Sequence, residues 1–268
     1  MVGHTVMSEP LFEIKDLTIS FGGLVAVQGL DLAVNAGEIV GLIGPNGAGK
    51  TTVFNCISRF YDPERGRIAF NGRDITRSRS HEVARLGIAR TFQNVELCRS
   101  MTALQNLLVG QHVVIRSGAL RDGLRLPGVG QSEAAATQRA DELLELLALG
   151  AYRDRVVSTL PFGVQKLVEL GRALAARPSL LLLDEPAAGA DTDEARGLAD
   201  TIRVIRERFD LSILVVEHDM QFVMGLCDRL YVLDFGRKIA EGVPDAIRRD
   251  PAVIEAYLGE PEPDGAEV

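Results

Sequence analysis

Residues 38–52, EIVGLIGPNGAGKTT, constrain the fold more than any other stretch of this chain. They contain Gly44-x-x-x-x-Gly49-Lys50-Thr51, the pattern of a phosphate-binding loop, with an apolar strand (Ile39–Ile43) before it and a helical pattern (Thr52–Ser58) after it. Such a loop works only between a buried strand and a helix N-terminus. Gly44, Gly47 and Gly49 let backbone N–H groups turn inward around phosphate oxygens, and the helix adds the positive end of its dipole. Lys50 is placed to reach the β- and γ-phosphates of a nucleotide, and the Thr51 hydroxyl to bind Mg²⁺. The stretch predicts an α/β chain that holds a nucleotide at a sheet edge.

The surrounding pattern agrees. The first third alternates apolar and polar residues: Leu30, Leu32 and Val34 share one face before the turn Asn35–Ala36–Gly37, and Ile68 and Phe70 lead into the hairpin signal Asn71–Gly72. From about Asn94 to Ala176 the apolar spacing becomes helical, as at Leu143, Leu144, Leu146 and Leu147, interrupted by a loop expected at 117–130. Two apolar runs, Leu180–Leu183 and Ile213–Val216, are each followed by a helical pattern, which predicts parallel strands with crossover helices. The last ten residues, GEPEPDGAEV, read as a disordered acidic tail.

Composition narrows the function. At 268 residues there is ample material for a core, and no apolar run approaches the roughly 20 residues of a membrane span. The opening MVGHTVMSEP has neither a basic start nor a following apolar stretch, so it is not expected to act as a signal peptide. A formal net charge of −8 without a Lys/Arg cluster argues against nucleic acid as a partner. Cys56, Cys98 and Cys227 form no zinc or disulfide pattern and read as buried small hydrophobes in a reducing compartment. Lys15, Lys50, Lys166 and Lys238 are the chain's lysines, and every other cation is Arg, so a position that keeps Lys hints at a need for a compact ammonium.

A phosphate loop needs a carboxylate for the metal, and LLLLDEP (180–186) supplies one. Asp184 ends a buried strand at the carboxyl edge of the sheet, where α/β proteins bind ligands, and is the expected Mg²⁺ ligand. Glu185 is the candidate for polarising the attacking water. The second strand ends in Glu217–His218. A lone histidine there serves equally well as a structural residue or as a hydrogen-bond partner of the γ-phosphate.

These pieces, in this order from about Leu11 to Gly259, resemble the ATP-binding subunits of ABC transporters. GPNGAGKTT matches that family's Walker A motif, and LLLLDEP its Walker B. The resemblance implies that Asn46, Gly47, Ala48, Gly49, Lys50, Thr51 and Thr52 contact ATP. It also implies that Phe21 stacks on adenine, and that Gln93 of Arg90–Thr91–Phe92–Gln93 (the Q-loop) touches both ATP and Mg²⁺. Glu185 and His218 (of Glu217–His218–Asp219, the H-loop) become the catalytic pair, with Thr51, Gln93 and Asp184 around the metal. Ala188–Gly189–Ala190–Asp191 resembles the D-loop.

The stretch TLPFGVQK (159–166) stands where the family carries its signature, Leu-Ser-Gly-Gly-Gln. Leu160 and Gly163 agree with it; Pro161 replaces the serine, Phe162 the first glycine and Val164 the glutamine, although Gln165 follows at once. By resemblance Pro161, Phe162, Gly163, Val164, Gln165 and Asp191 approach ATP held by a second subunit. The implied fold is a P-loop NTPase core of mainly parallel sheet, with an N-terminal antiparallel β-subdomain and an inserted helical subdomain.

The expected division is a flexible N-terminus at 1–10 and one nucleotide-binding domain at 11–258. Within it, 11–94 and 177–243 form the core, 95–176 the signature subdomain and 244–258 a helical extension, with the acidic tail at 259–268. The stretches FGGLVAV, RTFQN, VEHDM and IEAYLGE resemble the G-type ATP-binding subunit of branched-chain amino-acid uptake systems. The implied partners are a second ATP-binding subunit (a distinct chain or another copy), two transmembrane permease subunits and an extracytoplasmic solute-binding protein. The implied place is the cytoplasmic face of a bacterial plasma membrane, and the cofactors are ATP and Mg²⁺. Three alternatives stand beside this: a urea or short-chain amide importer, an ABC-type ATPase without transport, and a regulatory subunit that binds ATP without hydrolysing it.

Overall fold

The computed structural model describes residues 9–92, 96–112 and 129–258; of 129–133 and 258 only the backbone is described. The expectations that fall on 1–8, on Gln93, on 117–128 of the expected loop and on the tail at 259–268 lie outside the described residues. Two sheets carry the architecture. The first is antiparallel, built from β1 (Phe12–Phe21), β2 (Leu24–Val34), β4 (Arg65–Phe70) and β5 (Arg73–Asp74) in the order β2-β1-β4-β5. The Asn71–Gly72 turn joins β4 to β5 with both residues at positive φ (51° and 72°), the conformation that this hairpin type demands.

The second sheet has six strands in the order β10-β9-β3-β8-β7-β6: β3 (Ile39–Ile43), β6 (Ile88–Arg90), β7 (Leu180–Asp184), β8 (Ser212–Val216), β9 (Arg229–Asp234) and β10 (Arg237–Gly242). All pairings are parallel except β9 with the edge strand β10. The unbroken Leu180–Leu183 run follows from burial on both faces. Leu180 and Leu182 face a core shared with the antiparallel sheet and α1 (Lys50–Ile57); Leu181 and Leu183 face a core shared with the helices.

Those helices are α3 (Ala103–Gln111), α4 (Val129–Leu146), α5 (Phe162–Ala175), α6 (Thr192–Phe209) and α7 (Met220–Leu226), with α2 (Ser80–Leu86) preceding β6. The chain ends in α8 (Pro244–Ile247) and α9 (Pro251–Leu258). Helices α3, α4 and α5 form the segment inserted between β6 and β7, and they pack tightly. A Cβ at Gly110 would lie 2.2 Å from the Arg172 carbonyl oxygen, so α3 and α5 approach at a distance only glycine allows. Two boundaries differ from the sequence reading. Helix α1 begins at Lys50, because Gly49 in the left-handed region is its N-cap. Val129 and Gly130, expected in a loop, are helical, since the Ala-, Glu- and Leu-rich run behind them carries the helix back across one glycine.

Candidate nucleotide site

Strand β3 delivers the glycine loop to the carboxyl edge of the parallel sheet. Gly44 has φ 146°, and a Cβ there would sit 2.0 Å from the carbonyl oxygen of Leu233, so the loop's first residue is locked against β9. The Ala48 carbonyl accepts from the Gly236 N–H at 3.0 Å, tying the far side of the loop to the β9–β10 turn. At Gly47, φ is 78° and nothing lies within 4 Å of a built Cβ: the loop is held from behind and open in front. Lys50 is only 6% exposed, and its ammonium donates to the Gly44 carbonyl and, at 2.8 Å, to that of Pro45. Gly49 is the N-cap of α1 and offers no side-chain acceptor to the N–H groups of its first turn. Thr51 is exposed and Thr52 half-buried; Asn46 is exposed and Ala48 buried.

Asp184 ends β7 beside Val216 of β8, and β8 in turn pairs with β3. Its Oδ2 accepts from Arg90 Nη2 at 2.7 Å, and its buried Oδ1 has no hydrogen-bond partner. Arg90 also donates to Asn55 Oδ1 (2.9 Å) and Ser58 Oγ (3.2 Å) of the α1 segment, and its guanidinium lies 5.1–6.0 Å from the ring centres of Phe54, Phe60 and Phe92. An orphaned carboxylate oxygen on the sheet edge that bears the loop fits a hard cation. Mg²⁺ is such an ion, held by one or two carboxylates together with phosphate oxygens, and Asp184 supplies one carboxylate.

Glu185 follows with φ 47°, an uncommon backbone for a non-glycine residue, and its N–H donates to the Val216 carbonyl at 2.9 Å. Glu217, completely buried, accepts from the N–H groups of Ala187 (2.7 Å) and His218 (3.1 Å); burial holds its carboxyl above the ordinary glutamate range. The His218 imidazole is half-exposed, with Nδ1 3.7 Å from Glu217 Oε2. Asp219 caps α7 through the N–H groups of Gln221 and Phe222.

On the other side, Phe21 at the end of β1 meets Tyr61 edge-to-face, ring centres 5.1 Å apart. The pair forms an exposed aromatic corner that sequence reading saw only by half. Phe92 belongs to the expected Q-loop, whose Gln93 is outside the described residues.

The 159–166 stretch lies at the start of α5. Pro161 is the residue before the first turn, with φ −54° and ψ 150° and no side-chain cap. The first helical bond runs from the Gln165 N–H to the Pro161 carbonyl, so the N–H groups of Gly163 and Val164 precede the helical ladder. Phe162 is 55% exposed and Gly163 has open space around it. The Gln165 side chain turns back to the Leu160 carbonyl at 2.8 Å. Asp191 is used as the N-cap of α6, accepting from Asp193 and Glu194 N–H groups. The structure thus gathers residues 44–52, Asp184, Glu185 and the Glu217–His218 pair on one sheet edge, and gives residues 161–165 an exposed helix start of their own. Sequence reading gave Arg90, Tyr61 and Glu217 no role in the site; Arg90 and Glu217 carried a signal, by their places in the expected Q-loop and H-loop.

The family profile described as "ABC transporter" matches residues 27–188, and one described as "Branched-chain amino acid ATP-binding cassette transporter" matches residues 237–263. The chain is 43% identical over 254 residues to the high-affinity branched-chain amino acid transport ATP-binding protein LivG of Salmonella typhimurium, covering 95% of this chain and 100% of that one. BraF of Pseudomonas aeruginosa, with the same description, matches at the same identity and coverage. Among solved structures, the ADP conformation of MJ1267, an ATP-binding cassette of an ABC transporter, superimposes with a TM-score of 0.82 at 33% identity, covering 94% of this chain and 99% of that one.

Proposed function

This chain belongs to the ABC transporter family of ATP-binding cassettes, and from that footing we propose that it is the ATP-hydrolysing subunit of an importer for branched-chain amino acids. The observation that carries the reading is the pairing, on one sheet edge, of an open glycine loop around buried Lys50 with a buried carboxylate whose second oxygen is unpartnered. The solute class rests on the relatives' description and on the profile matched at 237–263.

Each residue's part follows from its setting. The ammonium of Lys50 exchanges the carbonyls of Gly44 and Pro45 for phosphate oxygens, which are charged and therefore stronger acceptors. The N–H groups of residues 46–51 and the α1 dipole hold the remaining phosphate charge. Thr51 and Asp184, with Gln93, would hold Mg²⁺, which would supply positive charge against that of the phosphates. Glu185 accepts the proton of the attacking water as its oxygen bonds to the γ-phosphorus and the bond to ADP breaks. His218 hydrogen-bonds a γ-phosphate oxygen, and Phe21 with Tyr61 receives the base. The N–H groups of Gly163 and Val164, with Pro161, Phe162, Gln165 and Asp191, face the nucleotide of a second ATP-binding subunit, which we take to be a distinct chain.

No helix among the described residues is long and apolar enough to cross a membrane, so this reading needs permease subunits to carry the solute. It also requires a solute-binding protein on the far side, with this chain at the cytoplasmic face. The test is ATP-dependent leucine uptake and ATP hydrolysis by the assembled transporter. With Glu185→Gln, nucleotide binding should persist while hydrolysis falls by about 10²–10⁴; unchanged turnover would remove Glu185 from this role.

A further inference from the structure

Lys166, one of four lysines in a chain that otherwise uses arginine, projects from the second turn of α5 to the loop that follows β7. Its ammonium donates to three backbone carbonyls there: Ala188 (2.5 Å), Pro186 (3.2 Å) and Glu185 (3.4 Å). The same loop is held from the core: Glu217 accepts from the Ala187 N–H at 2.7 Å, and the Val216 carbonyl takes the Glu185 N–H at 2.9 Å. Residues 185–188 are thus gripped by an ammonium from the inserted helices and by a carboxylate and a strand end from the core. The exposed Phe162 ring also lies against the ammonium, which is 5.2 Å from the ring centre.

The cost of this arrangement argues for a use. Glu185 is held at φ 47°, a conformation that persists in a non-glycine residue only where the surroundings impose it. Burial disfavours the charged Lys166, and Glu217, Glu169 and Glu185 offset that only in part. A loop needing only to connect β7 to α6 would not require a half-buried cation and a fully buried anion.

We propose that Lys166 is a positioning residue for the Glu185 carboxylate. Resting on the ATPase reading above, this makes α5 serve two sites: Gly163 at its start faces the partner's nucleotide, while Lys166, one turn on, sets the chain's own hydrolytic carboxylate. Engagement of the helix start in one site is mechanically tied to the geometry of water activation in the other.

The experiment compares the full chain, in its assembled transporter, as wild type, Lys166→Met, Lys166→Arg, Glu185→Gln and the Lys166→Met/Glu185→Gln double variant. A fluorescent ATP analogue reads binding, and phosphate release reads turnover. Displacing a reacting group by about 1 Å costs about 10²-fold. Lys166→Met should therefore lower kcat by about that factor with nucleotide affinity unchanged. Lys166→Arg, which keeps several donors, should stay nearer wild type, and Lys166→Met should add nothing once Glu185 is Gln. Unchanged kcat in Lys166→Met, a parallel loss of nucleotide affinity, or an undiminished further loss in the Glu185→Gln background would each overturn the proposal. A wild-type transporter that binds ATP without turning it over would overturn the ATPase reading as well, and is recognised before any Lys166 variant is made.

Discussion

Arg90 and Asp184, 94 residues apart in sequence, form an ion pair of 2.7 Å with side chains only 7% and 3% exposed. The arginine thereby joins β6, α1 and β7 behind the phosphate loop, and it leaves one Asp184 oxygen for a cation. Removing one partner of a buried pair strands the other charge. Arg90→Met should therefore lower the stability of the chain by about 3–5 kcal/mol in urea denaturation. Adding Asp184→Asn should recover part of that loss; equal instability of single and double variants would show that Arg90 acts mainly by packing on its three rings.

At the start of α5, Pro161→Ser should have two separable effects. A serine N-cap stabilises its helix by about 1 kcal/mol, visible as a higher midpoint in denaturant. Its hydroxyl can also donate to a γ-phosphate across the dimer, and a hydrogen bond to a charged group contributes about 1.5–3 kcal/mol. Sedimentation with ATP in a Glu185→Gln background should then show tighter association of the two ATP-binding subunits. No change in association would refute the reading of Pro161 as the weakened element of the signature.

Glu217 gives a pH dependence of stability whose sign is fixed. Its folded-state pKa is raised by burial above the ordinary value of 4.5, so the folded chain binds more protons than the unfolded one in the interval just above that value. Stability must fall as pH rises through this interval. Relative to wild type, Glu217→Gln should gain stability between pH 4.5 and neutrality, followed by denaturation at several pH values. A constant difference across that range would contradict the shift.

The cysteines should divide by environment. Burial pushes the Cys56 thiol up to about 11 and raises that of Cys227 further, whereas Cys98 is half-buried. Because the thiolate is the reacting form, native protein at pH 8 should take up a maleimide at Cys98 alone, with Cys56 and Cys227 reacting only on unfolding. Peptide mapping by mass spectrometry reads this directly, and early labelling of Cys227 would be inconsistent with its packing under β9.

Much of the core was legible because its chemistry is written in contiguous strings. Residues 38–52 contain strand, loop and helix start, and 180–186 contain a doubly buried strand with the carboxylates at its end. Periodicity also located the switch from alternating to helical spacing. The missed residues act through pairings that local pattern does not encode. Arg90 meets Asp184 across 94 positions, Glu217 meets Ala187 across 30, and Tyr61 reaches Phe21 through folding of the antiparallel sheet. Lys166 gave a compositional hint, but its three carbonyl partners come from a loop whose sequence shows no reason to be held. Helix α4 was cut short for the opposite cause: Gly130 and Pro127 read locally as punctuation, and the helix-forming run beyond them prevailed over the glycine.

The way Lys50 rests has a consequence for selectivity. Its ammonium is folded back on two neutral carbonyls of its own loop, so an arriving molecule competes for a cation that is already solvated by protein. An uncharged ligand has nothing better to offer than those carbonyls and gains no foothold, whereas a polyphosphate outbids them at once. On the function proposed above, the loop is a charge filter, and the aromatic corner at Phe21 and Tyr61 would meet the base of what that filter admits.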